Sequence, residues 1–325
     1  MAGLALGLGL GLGLGLGAAV VWAHRPPAPP GARARFPCRF FAHRGGCGER
    51  IENTLEAFEQ SVARGAQVLE LDVRRSRDGV VVVCHDRDLA RETGVARDLR
   101  ATDYADLPPY KDPLEVTFSP GSFASGSDHH IARLEDVFQR FPGVPVNIEV
   151  KEDDDELISK VAELVRRYDR LDISVWAAFD HRVLRKCRQE EPAMPSIVSM
   201  RRALVLVALF YLGLLPRTHV PEAFLQVPLP SIINRTYFPV RKGCLGALMA
   251  KMLQKVLMRK ELFKQLQDKG VKVIMWVLNE DKDFAEAFGY GVDGVMTDYP
   301  TRLRRYLDQH PAHERPGEVG AGGQG

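Results

Sequence analysis

Charged and imidazole side chains recur at the ends of four short apolar runs in the first half of the chain. Two carboxylates fall two residues apart within one run, and in a β-strand that spacing points both side chains to the same face. If the runs are neighbouring parallel strands, their carboxyl ends meet at one edge and the whole set converges there. The set consists of His43 and Arg44, Glu70 and Asp72, His85, and Glu149 and Lys151.

Cation binding is the chemistry that this pattern indicates first. Three carboxylates that face one another repel, and they are costly to bury without a partner. Ligation by oxygen alone favours a hard ion over zinc, which prefers nitrogen and sulfur. We therefore expect Glu70, Asp72 and Glu149 to meet around one divalent cation, with Ca²⁺ favoured and Mg²⁺ as the alternative. The competing interpretation is that these residues form salt bridges with one another at the rim of the fold. Salt bridges could explain any one of the residues, but not charged residues at the ends of four consecutive strands.

The elements that must position these residues alternate between apolar runs rich in β-branched residues and amphipathic stretches. This alternation is typical of βαβ units and predicts a (β/α)₈ TIM barrel, whose sites are built at the carboxyl ends of its strands. Nine candidate strands are one more than a barrel needs, and Ala223–Val227 is the weakest. The other candidates are Cys38–His43, Gln67–Val73, Val80–Cys84, Val146–Val150, Asp172–Trp176, Pro195–Ser199, Val271–Val277 and Asp293–Met296.

Amphipathic stretches with apolar residues three or four apart supply the predicted helices. One further stretch, residues 203–215, is apolar throughout and too short to span a bilayer, so it is either a core helix or a segment that dips into lipid beside the site. The predicted helices are Thr54–Arg64, Leu157–Tyr168, His181–Gln189, Leu245–Gln267 and Asp281–Phe288.

The amino-terminal segment is uncharged and runs largely as alternating leucine and glycine. Its length is sufficient for a helix that crosses a bilayer, so residues 1–23 are predicted to be a membrane anchor. A cleaved signal peptide and a low-complexity tail are the alternatives. The linker at 24–37 is basic and rich in proline, which would hold the catalytic part on the cytosolic side. The sequon Asn234-Arg235-Thr236 would instead require the lumen.

The remaining chain divides into a catalytic domain and a tail. The domain is expected to cover residues 38–309, with an insertion at about 87–130 that follows the third strand and lies over the barrel mouth. Residues 310–325 lack any pattern and are predicted to be disordered.

Overall charge and cysteine content exclude some classes of protein. The formal net charge is +2, too small to gather nucleic acid by neutralising phosphates, so no nucleic-acid partner is expected. The five cysteines lack a metal-binding or redox spacing and are interpreted as free thiols.

A series of short motifs in this sequence resembles the glycerophosphodiester phosphodiesterase family over roughly residues 38–307. The apolar amino terminus, residues 203–215 and Met258-Arg259-Lys260 are most similar to the mammalian membrane-bound members that act as lysophospholipase D. The motifs are His43-Arg44-Gly45, Glu52-Asn53-Thr54, Glu70-Leu71-Asp72-Val73, Asp78-Gly79, His85-Asp86, Glu149-Val150-Lys151, Trp276-Val277-Leu278-Asn279 and Asp293 to Pro300.

The resemblance implies a role for each catalytic position. His43 and His85 would be the acid and base, with their assignment left open, and histidine suits both tasks near neutral pH. Arg44 and Lys151 would hold the phosphate oxygens. The nucleophile would be either water or the neighbouring glycerol hydroxyl. The three acids that the spacing brings together, Glu70, Asp72 and Glu149, would be the metal ligands.

Supporting roles fall to residues around this centre. Glu52 lies where the first loop enters its helix. Asn53 is either the helix cap, which asparagine favours, or a support of the metal site. Trp276 ends its strand and is either ordinary core or an apolar wall for the glycerol or acyl part of a substrate.

The expected function is hydrolysis of lysophospholipids to lysophosphatidic acid and the head-group alcohol, at a membrane of the endoplasmic reticulum or the perinuclear region. The partners are then a lysophospholipid substrate and a membrane, and protein partners are left open. Two alternatives stand beside this function. One is hydrolysis of soluble glycerophosphodiesters such as glycerophosphocholine, and the other is a catalytically silent lipid-binding protein.

Overall fold

The computed structural model describes residues 33–235 and 244–313 of the 325-residue chain. The predicted anchor at 1–23, most of the predicted linker and the tail from residue 314 lie outside these ranges, as does Thr236 of the sequon. Within the described ranges, no helix is both long enough and apolar enough to cross a bilayer.

Strands and helices alternate through most of the described chain. The strands are β1 (Phe40–Ala42), β2 (Val68–Arg75), β3 (Val81–Val83), β4 (Leu114–Glu115), β5 (Phe123–Ala124), β6 (Val146–Val150), β7 (Ser174–Ala177), β8 (Phe224–Pro228), β9 (Lys272–Trp276) and β10 (Gly294–Thr297). The helices are α1 (Leu55–Ala63), α2 (Ala90–Thr93), α3 (Leu134–Arg140), α4 (Asp155–Arg167), α5 (His181–Glu190), α6 (Met200–Tyr211), α7 (Cys244–Leu257), α8 (Lys260–Gln267), α9 (Asp281–Gly289) and α10 (Pro300–Gln309).

The parallel strands form a ring. Seven of them pair in the order β7-β6-β2-β1-β10-β9-β8. The ring closes through a very short eighth segment, because Ser196 pairs with Trp176 of β7 and Ile197 pairs with Phe224 of β8, both in parallel. The predicted barrel is therefore present, and Ala223–Val227, the weakest strand candidate, corresponds to β8 of the ring.

The surplus strand candidate is Val80–Cys84. In the structure, β3 pairs with β2 in the antiparallel sense and lies off the ring, so the prediction that it is the third barrel strand is wrong. The physical reason is the turn at Gly79, whose φ of +85° reverses the chain directly after the long strand β2. The long stretch that follows therefore lies between the second and third strands of the ring.

Helix α4 illustrates how the sequence produces the outer layer. Asp154 caps it by accepting hydrogen bonds from the backbone N–H groups of Glu156 and Leu157. Leu157 and Val161 are one turn apart and fully buried. Such a stripe packs the helix onto the ring and leaves its charged face in water.

The predicted helix Leu245–Gln267 is in fact two helices. The break falls at Met258 and Arg259, where Arg259 has extended backbone angles and precedes α8. Helix α8 buries Leu262 and Leu266, whereas the exposed side of α7 carries large apolar residues. A single straight helix could not pack Leu262 and Leu266 against the ring and also keep this side of α7 at the surface. The chain therefore bends between α7 and α8.

Helix α6 contains most of the apolar stretch 203–215. Its Leu206 and Leu209 are buried in the core, while Leu204 is 62% exposed. The core alternative therefore holds for one side of the helix, and for the exposed apolar side the alternative of a segment that dips into lipid stays a prediction.

Two apolar layers hold the barrel together. A small cluster that includes Phe41, Val175 and Ile274 fills the inside of the ring. A much larger cluster lies between the strands and the surrounding helices. The carboxyl ends of the strands, above the inner cluster, are left to polar residues that form the site.

Candidate active site

Strand register brings the three predicted acids together. Asp72 of β2 lies directly opposite Glu149 of β6, and Glu70 is opposite Asn147 one pleat earlier. One carboxylate oxygen each from Glu70, Asp72 and Glu149 lies within 4.8 Å of the others. Glu70 and Asp72 are almost fully buried, while Glu149 is partly exposed toward the mouth.

The electrostatics of this acid cluster fit a cation. Burial and the neighbouring Asp72 raise the pKa of Glu70 to about 8. Burial also disfavours the charged form of Asp72, but Lys151 and Arg44 outweigh it and hold the pKa of Asp72 below its ordinary value. A raised pKa of this kind means that the nearby cationic groups do not fully compensate the negative charge of the three acids. Oxygen ligands in such a cluster suit a hard divalent ion.

His43 is placed by a tight turn at the end of β1. The turn needs Gly45 at a φ of +75°, and a Cβ there would lie 2.7 Å from the ring of Phe58. The Nδ1 atom of His43 lies 2.6 Å from Oδ1 of Asp298. Its Nε2 atom lies 4.0 Å from Oε2 of Glu70, so the working face of the ring is directed at the acid cluster. Burial disfavours the imidazolium, but the Asp298 carboxylate outweighs that effect and raises the pKa of His43.

Asp298 is itself fixed by two further groups. Its Oδ2 accepts a hydrogen bond of 2.7 Å from the side chain of Asn279, and its Oδ1 accepts one of 2.9 Å from Cys47. Asn279 also accepts the backbone N–H of Asp298 at 3.0 Å. The carboxylate that orients His43 therefore has little freedom to turn.

His85 has a similar arrangement although it follows an antiparallel strand. The turn after β2 reverses the chain, and β3 then runs back along the last three residues of β2. His85, which follows β3, is thereby returned to the barrel mouth. Its Nδ1 atom lies 2.5 Å from Oδ1 of Asp86, and Arg91 donates to the other oxygen of Asp86 at 2.6 Å. Burial and the charge of Arg44 lower the pKa of His85.

Arg44 and Glu52 form a buried pair behind the acids. The guanidinium of Arg44 lies 3.0 Å from Glu52 and 3.4 Å from Asp72, and its backbone N–H donates to Glu70 at 2.8 Å. Burial opposes ionisation of Glu52, but Arg44 and Arg91 hold its pKa near 2. The predicted residues Arg44 and Glu52 are thus parts of one ionised network that borders the acid cluster.

Asn53 supports Asp72 and does not cap the helix. Thr54 is the cap of α1, because its hydroxyl accepts the backbone N–H of Ala57 at 3.2 Å. Asn53 has a φ of +60° and donates its side-chain amide to Asp72 at 3.0 Å. Of the two predicted alternatives for Asn53, the structure therefore contains the support of the acid cluster.

Lys151 bridges the open side of the cluster. Its ammonium lies 2.9 Å from Glu149 and 3.3 Å from Asp72. Burial opposes the charged form, yet the two carboxylates raise the pKa of Lys151. This cation also lines the cavity described below, where it can reach an anionic group of a ligand.

A cavity of about 360 Å³ includes the acid cluster at one end, and the rest of its lining is largely apolar. At its polar end, Phe118 contacts both His43 and Trp276, with ring centroids 5.4 Å and 6.0 Å apart. From there the cavity runs outward between β8 and the helices α6 and α8. Its lining includes Leu206, Val207, Leu225, Leu262, Phe263 and Leu266.

Several residues of this site were not singled out from the sequence. Asp86 and Asp298 both lie in the sequence motifs given above. The sequence places Asp86 next to His85, but only the folded structure brings Asp298 to His43. Phe118 had no signal, since it lies in the long stretch between β3 and α3. Arg91 had none either, because an arginine in a charged surface stretch is ordinary.

Comparison with known proteins gives the family. Residues 43–302 match the glycerophosphoryl diester phosphodiesterase family. The chain belongs to this family. It is 51% identical to mouse lysophospholipase D GDPD3 over 293 residues, which cover 90% of this chain and 87% of the mouse protein. It is 40% identical to human lysophospholipase D GDPD1, with 86% of this chain and 89% of the human protein covered.

Solved structures of glycerophosphodiester phosphodiesterases share the fold. A phosphodiesterase of Oleispira antarctica in complex with the product sn-glycerol-3-phosphate superimposes with a TM-score of 0.56 at 20% identity and covers 83% of this chain and 96% of its own. A glycerophosphoryl diester phosphodiesterase domain from Mycobacterium tuberculosis gives a TM-score of 0.63 at 19% identity, with 83% and 99% covered. Glycerophosphodiester phosphodiesterases use a divalent metal, and the acid cluster offers it three oxygen ligands.

Proposed function

We propose that this chain is a lysophospholipase D, which hydrolyses a lysophospholipid to lysophosphatidic acid and the head-group alcohol. The observation that carries this proposal is the apolar cavity that leads away from the acid cluster. A glycerophosphodiester without an acyl chain has no use for such a cavity, whereas an acyl chain would be buried against its apolar lining. The identity to mammalian lysophospholipase D proteins supports the same substrate class.

The acid cluster would hold one divalent cation through Glu70, Asp72 and Glu149, and we propose Ca²⁺ in preference to Mg²⁺. Ca²⁺ accepts the irregular oxygen geometry of side chains on two strands more readily than Mg²⁺, which demands a near-ideal octahedron. When bound, the cation would neutralise charge on the non-bridging phosphate oxygens.

The protein groups around the phosphate would divide the remaining work. Lys151 and Arg44 add positive charge at the phosphate, and Arg44 also holds Glu70 in place. His43 and His85 each have Nδ1 engaged by a carboxylate, so Nε2 is the atom of each ring that can transfer a proton. One ring would activate the nucleophile and the other would protonate the leaving alkoxide.

The amino-terminal residues 1–23 remain a proposed membrane anchor, and the endoplasmic reticulum or perinuclear membrane remains the proposed location. The uncharged composition of this segment supports the anchor. The side of the membrane on which the catalytic domain lies can be tested by protease protection in sealed microsomes, with the cytosolic side as the expectation.

The proposed function is tested by choline release from two substrates. Full-length protein is given lysophosphatidylcholine or glycerophosphocholine at equal concentration, with Ca²⁺, with Mg²⁺ and with a chelator. We expect kcat/KM to be at least about tenfold higher for the lysolipid, because only it gains from the apolar cavity. Faster hydrolysis of glycerophosphocholine would select the soluble-substrate alternative, and no release from either would leave the silent lipid-binding protein.

A further inference from the structure

Exposed apolar side chains are concentrated on two neighbouring helices. Within the described residues, eleven large apolar side chains are exposed, and eight of them lie on α6, on the residue after it, or on α7. We call this surface the docking face. It consists of Met200, Leu204, Tyr211, Leu212, Leu248, Met252, Leu253 and Val256.

The two helices of the docking face are joined near their carboxyl ends by a hydrogen bond. The hydroxyl of Tyr211, at the end of α6, donates to the backbone carbonyl of Val256 in α7 at 2.9 Å. On α7, Leu248, Met252 and Val256 follow one another at intervals of four residues and therefore form one apolar stripe. So many exposed large apolar side chains on two linked helices are uncommon on a protein that stays in water.

The part of the chain that carries the docking face is rich in positively charged residues. Residues 199–260 contain ten lysines and arginines but one acidic residue, Glu222, which is buried. Lys251 and Lys255 are exposed and form a second stripe on α7 beside the apolar one. Among the described residues, no carboxylate lies within ion-pair distance of Lys251 or Lys255. Apolar and basic stripes side by side are typical of helices that lie in the interface of an anionic bilayer.

The docking face is continuous with the cavity. Met200 and Leu204 belong both to this face and to the cavity lining, and the lining also includes Phe179, which is 69% exposed. An acyl chain that left a bilayer at this point would enter the cavity without crossing water. The apolar path then leads to the acid cluster at the barrel mouth.

We propose that the docking face rests on the surface of an anionic lipid bilayer and that the substrate's acyl chain enters the cavity there. The part of this proposal that concerns the acyl chain rests on the proposed function. The charge decides between a bilayer and a second copy of this chain, because two such basic faces would repel each other. Contact with anionic lipid instead gains from each lysine.

The test compares the same full-length protein on two forms of one substrate class. One form is lysophosphatidylcholine embedded in vesicles of phosphatidylcholine and phosphatidylserine, and the other is a short-chain lysophosphatidylcholine below its micelle concentration. The double variant Met252→Ser/Val256→Ser and the double variant Lys251→Glu/Lys255→Glu change the docking face without touching the cavity lining. Val95→Ser is the matched control, since Val95 is 43% exposed and Val256 40% exposed, and Val95 lies in another part of the fold.

For both double variants we expect hydrolysis of the vesicle substrate to fall on the order of tenfold, with hydrolysis of the monomeric substrate unchanged. The control should keep both activities, and the defect of the lysine variant should shrink in vesicles of phosphatidylcholine alone. Vesicle activity equal to that of the control would overturn the proposal. No activity of the unaltered protein on the monomeric lysolipid would instead contradict the proposed function, so the two failures are distinguishable.

A second measurement covers the case in which a variant loses both activities by misfolding. Hydrogen exchange of the unaltered full-length protein is followed with and without the anionic vesicles. We expect slower exchange in residues 200–212 and 248–257 when vesicles are present and no change in α4 or α5. Unchanged exchange in the docking face overturns the proposal. Protection of the same residues by self-association, seen without lipid and together with a dimer in solution, overturns it as well.

Discussion

The carboxylate of Asp298 lies 2.6 Å from Nδ1 of His43 although 255 positions separate the two residues in sequence. The barrel makes this contact possible, because β1 and β10 are neighbours in the ring and both end at the same edge. The end of the first strand of the domain thus supplies the imidazole of His43, and the end of the last strand supplies the carboxylate of Asp298 that orients it.

Asp298→Asn should lower kcat by roughly 10²-fold while the protein stays folded, since a positioned proton-transfer group contributes about that much. The carboxylate raises the pKa of His43, so its loss lowers that pKa and reduces the protonated fraction near pH 7. The limb of the pH–rate profile that reports loss of the His43 proton should therefore move to lower pH. Kinetics from pH 5 to 9 measure this shift, and an unchanged profile would show that Asp298 has only a structural role.

His43→Ala and His85→Ala should respond differently to the leaving group. The raised pKa shifts His43 toward the protonated form and favours it as the acid, whereas the lowered pKa shifts His85 toward the neutral form and favours it as the base. A p-nitrophenyl phosphodiester needs no acid for departure of its leaving group, so it should restore much of the rate in His43→Ala but not in His85→Ala. Rescue of the other variant would reverse the assignment.

Addition of Ca²⁺ or Mg²⁺ should raise the melting temperature of the unaltered protein. At a hundredfold excess over Kd, binding stabilises the folded state by about 2.7 kcal/mol, which corresponds to about 5 °C for a domain of this size. Glu70→Gln keeps the size and the acceptor for the Arg44 backbone but removes a charged ligand, so the shift should disappear. Differential scanning fluorimetry measures it, and a metal-dependent shift retained in Glu70→Gln would place the ion elsewhere.

The affinity for the cation should also depend on pH. The pKa of Glu70 is raised to about 8, so below that pH a proton competes with the cation for this carboxylate. Affinity should therefore increase from pH 6 to about 8 and then level off. Isothermal titration calorimetry in buffers of different ionisation enthalpy would detect the released proton, and an affinity that is flat over this range would refute the competition.

Two adjacent substitutions should separate stability from activity. Thr54→Ala removes the cap of α1 and should cost about 1 kcal/mol in the free energy of unfolding, with activity retained. Asn53→Ala removes the amide that holds Asp72 and should lower activity by roughly tenfold or more, together with a cost in the free energy of unfolding because alanine disfavours the φ of +60°. Denaturant unfolding measures the stability of both variants, and choline release measures their activity. Loss of activity in Thr54→Ala with activity retained in Asn53→Ala would contradict the assigned roles and support Asn53 as the cap.

Obstruction of the cavity should affect the lysolipid alone. Ala203 lines the cavity and Ala208 of the same helix is exposed to solvent. Ala203→Phe should lower kcat/KM for long-chain lysophosphatidylcholine by about tenfold and leave glycerophosphocholine hydrolysis intact, whereas Ala208→Phe should change neither. Equal losses on both substrates in Ala203→Phe would indicate a distorted barrel and not a blocked acyl path.

Sequence reasoning located the acid cluster because its signal is local. Glu70 and Asp72 share a strand, and the alternation of strands and helices placed Glu149 at a nearby strand end, although Val80–Cys84 was counted between the two strands that in fact pair directly. The same reasoning failed for Val80–Cys84, because a buried strand has the same composition whether it runs parallel or antiparallel. It also ranked Ala223–Val227 as the weakest strand candidate, yet this segment forms β8, which pairs with β9, the next strand in the chain, and with Ile197 before it.

Long-range partners were the other limit. No spacing rule connects Asp298 with His43 or Phe118 with Trp276, since their proximity depends on the closed ring and on the path of the stretch after β3. The split between α7 and α8 was missed because both segments are good helix formers, and only the packing of two different faces reveals the bend.

The closure of the ring at Ser196 and Ile197 has a consequence for substrate range. Only two residues pair there with β7 and β8, and the apolar space toward α6 and α8 opens beside this seam. Under the proposed function, the space for a lipid chain would therefore depend on how few residues of this segment pair with β7 and β8. We expect a homologue with a few more paired residues in this segment to hydrolyse acylated substrates poorly while its catalytic side chains keep their positions.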